Sequence, residues 1–129
     1  MSCAAVLGFI ASLLTNNTST AHEIAQTARV ENFVARGTEP FWNLTLSKSG
    51  IIYSVPDGKK QTFPYVTPLA ASGRTADFVR VYQFRGRGNN TLIIKKVNTC
   101  SDGMSDQNYP YSATLILGNQ VLEGCAEKK

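Results

Sequence analysis

At 129 residues, 43% hydrophobic and 17% charged, the chain is long enough to bury one core and too apolar to stay disordered. Its net charge of +4 comes from basic residues spread along the chain, which excludes the clustered basic footprint of a nucleic-acid binder. The same mild charge suits an anionic partner, whether a phospholipid surface, a polysaccharide or an acidic protein cleft.

Residues 3–14 (CAAVLGFIASLL) form an apolar run of signal-peptide length, too short to cross a bilayer as a helix. Ser19, Thr20 and Ala21 then supply the small residues a signal peptidase reads, so cleavage is expected before His22, with Ala28 as the second choice. The start departs from the standard pattern in two ways. No Lys or Arg precedes the apolar run, and Cys3 stands at its start rather than after it, so no clear lipobox is present. A retained apolar helix that keeps the protein in peripheral contact with a membrane is the alternative. The expected division is a secretory signal-like segment over 1–21, a lead-in over 22–33 with some helical potential, and one folded domain over 34–129.

Cysteine usage points the same way. Loss of the leader leaves Cys100 and Cys125, an even number that an oxidising compartment pairs. Two metal-bound thiolates are the competing use, but no CxxC or nearby His completes such a site. Neither a metal nor any other cofactor is expected. The expected location is the periplasm or cell envelope.

From residue 34 onward, short β-branched and aromatic runs alternate with Gly, Pro, Asn and Asp. Trp42, Leu44 and Leu46 alternate with polar neighbours as a half-buried strand does. Ser49 and Gly50 turn the chain into a strand over 51–55, and Pro56, Asp57 and Gly58 turn it again. A strand over 62–66 is demoted to an edge by Pro64, and 67–77 reads as the longest loop. Residues 78–85 (FVRVYQFR) carry large side chains on both faces, which predicts cover on both sides. A hairpin tip at 86–90 leads to a strand over 91–97. Strands over 111–117 and 120–125 close the chain, joined by Gly118 and Asn119. About eight short strands predict an all-β domain, a small antiparallel, meander-like barrel, with a calycin-like barrel or a sandwich as variants.

Between those last pairs lies CSDGMSDQNYPY (100–111), a cysteine, a tight polar turn and a proline that fixes the return of the chain. This stretch, with ARGTEPFWNLTL (35–46) and the ending LEGCA (122–126), resembles a family of small bacterial envelope proteins and predicted lipoproteins that share GxEPFW and CSDGMSD motifs. The resemblance covers most of the chain after residue 34. It implies export and an all-β domain, and it names no reaction. Small β modules such as lysozyme inhibitors enter only as neighbours of that family by context.

The motifs supply the candidate site residues. Glu39 and Trp42 could form a ligand mouth, a carboxylate beside a flat indole wall, with Arg74, Tyr109 and Tyr111 completing it. Trp42 as a plug at one end of the barrel is the competing use. Asp102, Ser105 and Asp106 offer oxygen ligands, but their spacing does not match a calcium loop. Capping of turn amides is expected of them instead, with an ion pair to Arg36 or Arg74 as a further use. His22 is the only histidine and stands at the cleavage site, so no nucleophile–base set can be assembled in the mature domain.

A non-catalytic, monomeric binding or interaction module is therefore expected, taking a small amphipathic ligand or an envelope protein. One alternative is a lysozyme-inhibitor-like contact through Arg85 and Arg87 on the 85–90 hairpin, which would enter an acidic cleft. Another is a small hydrolase using Glu39, Asp102 and Asp106 as paired carboxylates.

Overall fold

The structure is a computed structural model and describes residues 30–129. The expected leader, its cleavage sites and residues 22–29 of the lead-in lie outside them. Nine strands follow: β1 (Phe33–Thr38), β2 (Phe41–Ser47), β3 (Gly50–Ser54), β4 (Lys60–Phe63), β5 (Leu69–Ala70), β6 (Val79–Arg85), β7 (Asn89–Ser101), β8 (Asn108–Leu117) and β9 (Gln120–Lys128). They form one sheet in the order β4-β3-β2-β1-β9-β8-β7-β6-β5, and each pairing is antiparallel. The domain is all-β, as the strand signals predict, and its sheet is curled into a barrel-like half-shell.

Every strand pairs with its neighbour in sequence except across one gap. The first and last strands, β1 and β9, pair with each other, so the meander closes on its own ends and its seam falls between β4 and β5. Residues 64–68 (PYVTP) cross that seam, and their two prolines have no amide hydrogen to give to a ladder. Side chains cover the gap instead. The Phe63 ring meets Phe84 of β6 edge-on at 4.9 Å, and Tyr65 meets Tyr82 at 6.5 Å. Gly86 leaves the space that Phe63 occupies, since a Cβ there would strike its ring.

Period-two alternation builds the core. Ala35, Leu44, Leu92, Ile94, Ala113 and Leu115 are fully buried, and their sequence neighbours face outward. Three expectations need correction. The stretch 67–77, expected to be a loop, contains the two-residue strand β5. The strand expected over 62–66 lies at Lys60–Phe63, ended by Pro64. β6 is not covered on both faces: Arg80, Tyr82 and Phe84 point inward, while Gln83 and Arg85 are exposed.

The β7–β8 pair is the longest in the sheet and the least regular. Lys96 faces Tyr111 and Cys100 faces Tyr109, so Val97, Asn98 and Thr99 stand opposite Pro110 alone. Proline cannot complete the ladder, and the surplus residues bend the hairpin. Its distal part, residues 100–109, is thereby an arm laid over the outer face of β9 and β1. A disulfide joins Cys100 to Cys125 of β9, and the Thr38 hydroxyl of β1 donates to the Asp102 carbonyl at 2.8 Å.

Where β9 meets β1, two positions leave no room for a side chain. A Cβ on Gly124 would overlap the Arg36 carbonyl, and one on Gly37 would overlap the Trp42 indole. Gly124→Ala is expected to destabilise the fold by about 3 kcal/mol, the upper range for overpacking. The check is a lower urea midpoint than that of Gly88→Ala, whose Cβ meets open space and whose midpoint should stay near the parent's.

Candidate functional site

The arm does not lie flat on the wall. Between them opens a pocket of about 550 Å³. Its floor is formed by Arg36, Thr38 and Asn43 on β1 and β2, with Ser54, Val55 and Pro56 where β3 ends, and its roof by Asp102, Met104, Ser105, Gln107 and Tyr109 of the arm. Phe41 and Trp42 complete the apolar side. Phe41 is 50% exposed and Met104 68%, an exposure of large apolar side chains that a core role does not require.

The roof is held in shape from within. The Asp102 carboxylate accepts the amides of Met104 and Ser105, each at 2.9 Å, and the Ser105 hydroxyl at 3.2 Å. These bonds, led by the Met104 amide, hold its carboxyl below the usual range. Gly103 takes the left-handed conformation that the turn needs. Amide capping is thus the use the structure shows for Asp102. The Arg36 Nη1 donates to the Tyr109 hydroxyl at 3.3 Å and stands 3.7 Å from Glu127, while Arg74 covers the Phe78 ring at 3.9 Å. Neither arginine pairs with Asp102.

Of the five residues expected at a ligand mouth, Trp42 and Tyr109 line this pocket. Trp42 is 3% exposed and donates its indole N–H to the Glu123 carbonyl at 3.1 Å, so it is a core side chain that shows one edge to the pocket. Glu39 lies in the exposed turn between β1 and β2, outside the lining. Arg74 and Tyr111 lie elsewhere. Arg85 and Arg87 are exposed on the β6–β7 hairpin, where Arg87 borders a second hollow of about 290 Å³. The sequence gives no sign of Phe41 and Met104, although each sits inside a motif, because an apolar side chain left exposed reads locally like one that is buried.

Nor does the sequence signal a polar centre inside the sheet. Arg80 is 4% exposed. Its guanidinium grips Glu31 with two bonds, 2.6 and 2.8 Å, and Asp77 with a third at 2.7 Å. The rings of Phe33 and Tyr111 flank it at 5.0 and 5.5 Å. Asp77 further accepts Lys96 at 2.8 Å and the Tyr111 hydroxyl at 2.8 Å, and Lys128 lies within 3.5 Å of both carboxylates. Hydrogen bonds from Lys96 and Arg80 hold the Asp77 carboxyl far below its ordinary value, and the Arg80 bond lowers that of Glu31. Burial alone would lower the Arg80 pKa, but its two carboxylate partners raise it. The cluster ties the lead-in residue Glu31 to the sheet. Beside it, the Tyr82 hydroxyl is buried without a hydrogen-bond partner among the described residues.

Among the described residues, no three His, Cys, Asp or Glu side chains group closely enough to hold a metal ion. Comparison with protein-family models, with curated proteins and with solved structures finds no match for this chain.

Two outcomes follow from these geometries. Replacing both Cys100 and Cys125 by Ser should lower stability by about 3 kcal/mol, the chain-entropy value for closing a loop of this size, read as a drop in thermal midpoint. The Asp77 carboxyl is lowered in the folded state, so its stabilisation is complete above the unfolded value of about 4 and is lost as pH falls below it. Urea midpoints should therefore decline steeply below about pH 4, and Asp77→Asn should flatten that decline while lowering the midpoint at neutral pH.

Proposed function

We propose that this chain is an exported, non-catalytic binding protein of the bacterial envelope, which holds a small amphipathic ligand between the arm and the β1–β2 wall. The observation that carries this reading is the pocket itself. Its volume lies within the roughly 300–1,000 Å³ usual for small-molecule sites, and exposed apolar side chains there face a few polar ones. Trp42 and Tyr109 serve as rigid walls, and the arm as a roof whose position the disulfide maintains. Arm and wall carry the CSDGMSD and GTEPFW stretches, so the resemblance to small envelope proteins and the ligand site converge on the same residues. The paired cysteines support an oxidising location such as the periplasm.

Native mass spectrometry of the protein recovered from its own envelope tests the proposal. The expected spectrum shows a chain two hydrogens lighter than the reduced mass, carrying an additional small molecule. In titrations with anilinonaphthalene sulfonate, a fluorescent amphiphile, Phe41→Ala with Met104→Ala should weaken binding about tenfold or more, since each removes roughly 1 kcal/mol of apolar contact. The thermal midpoint should stay unchanged, because both side chains are exposed. A ligand-free protein on which the double substitution has no effect would overturn the reading.

A further inference from the structure

The pocket has a direction, set by charge. Only two of its lining residues are charged, Arg36 and Asp102, and their situations differ. Both Asp102 oxygens are taken up by the arm's own turn, one by the amides of Met104 and Ser105 and the other by the Ser105 hydroxyl. Arg36 is loosely engaged. Its contacts with the Tyr109 hydroxyl and with Glu127 both use Nη1, at 3.3 and 3.7 Å, and Nε and Nη2 have no partner among the described residues. A guanidinium presents its donors as a planar fork that fits a carboxylate or phosphate with two bonds. Asn43 faces Arg36 across the β1–β2 ladder and lines the same wall, which brings an amide donor within reach of the same anion.

Apart from these two residues, the lining offers no charge. Phe41, Val55, Pro56 and Met104 supply apolar surface, and the Met104 side chain is flexible and polarisable, able to follow tails of different shape.

We infer that the occupant is a single-chain anionic amphiphile, its carboxylate or phosphate head on Arg36 and its tail along Phe41, Trp42 and Met104. This rests on the ligand-site reading above and adds the sign and position of the head group. The pocket has the size of one small molecule, so the amphiphile is bound singly and not as part of a bilayer surface.

Titration calorimetry of the disulfide-bonded protein tests this with three probes of one chain length below their micelle concentrations: decanoate, decyl phosphate and decanol. The two anions are expected to bind about tenfold tighter than decanol, the share of one charge-assisted pair, with affinity falling as salt is raised. Arg36→Gln should abolish that preference and leave decanol binding as it was. Glu127→Gln, which removes the carboxylate beside Arg36, should tighten the anions and not decanol. This second variant keeps the test informative if Arg36→Gln folds poorly. Equal binding of all three probes, or an anion preference indifferent to both substitutions, overturns the head-group assignment while the ligand site stands. Failure of every probe to bind removes the ligand site as well. Binding to phosphatidylglycerol vesicles without binding to the single-chain probes would replace a one-molecule pocket by a membrane contact and overturn the inference.

Discussion

The pairing of the first strand with the last is the constraint on which the molecule depends. β1 and β9 are far apart in sequence, and their ladder converts a meander into a curled shell. The register of that ladder does more than close the sheet. It sets Arg36 opposite Cys125, so the pocket's cation stands one strand away from the sulfur that tethers the roof. A slip of one residue would turn Cys125 inward and away from the face that carries Arg36, since side chains alternate faces along a strand. Gly124 and Gly37 allow the backbones to approach closely enough for this register, with the Trp42 indole filling the space a side chain at Gly37 would need.

Two arginines show how differently one residue type can be used in the same fold. Arg80 is buried, and its donors are met by Glu31, Asp77 and the Asp77 carbonyl. Such a group holds structure together, because removing its partners would leave a charge without water or counter-ion. Arg36 is one-third exposed and held by two long contacts. Leaving a guanidinium so lightly engaged costs little at the surface and keeps its donors available, the condition a binding residue has to meet.

The arm illustrates a local irregularity with a remote consequence. Pro110 interrupts the β7–β8 ladder, the surplus residues opposite it bend the hairpin, and the bend carries Asp102 to within a hydrogen bond of Thr38 on β1. Without that bend the CSDGMSD turn would extend beyond the sheet, and the wall of β1 and β2 would be bare. The disulfide then fixes a placement that the bulge has already made.

Much of this architecture was written in local patterns. Alternation in 42–46 and 111–117, the Gly118–Asn119 turn and the even cysteine count concern residues close in sequence or simple pairing arithmetic, so the all-β class and the Cys100–Cys125 bridge were legible before any coordinates. The pocket was not. It brings together Arg36, Phe41, Val55, Met104 and Tyr109 from four separate segments, and no periodicity within one segment encodes contact with another. Arg80 escaped for a related reason: in FVRVYQFR either face could be the inner one, and the choice falls to the aromatic partners that Tyr82 and Phe84 find across the sheet. What the chain determined by itself was which stretches become strands and which sulfurs pair, because those follow from side-chain alternation and backbone chemistry. Which arginine is buried, which is only lightly held and what roof covers it were decided by the closure of the sheet, since only the register of distant strands brings those groups within bonding distance.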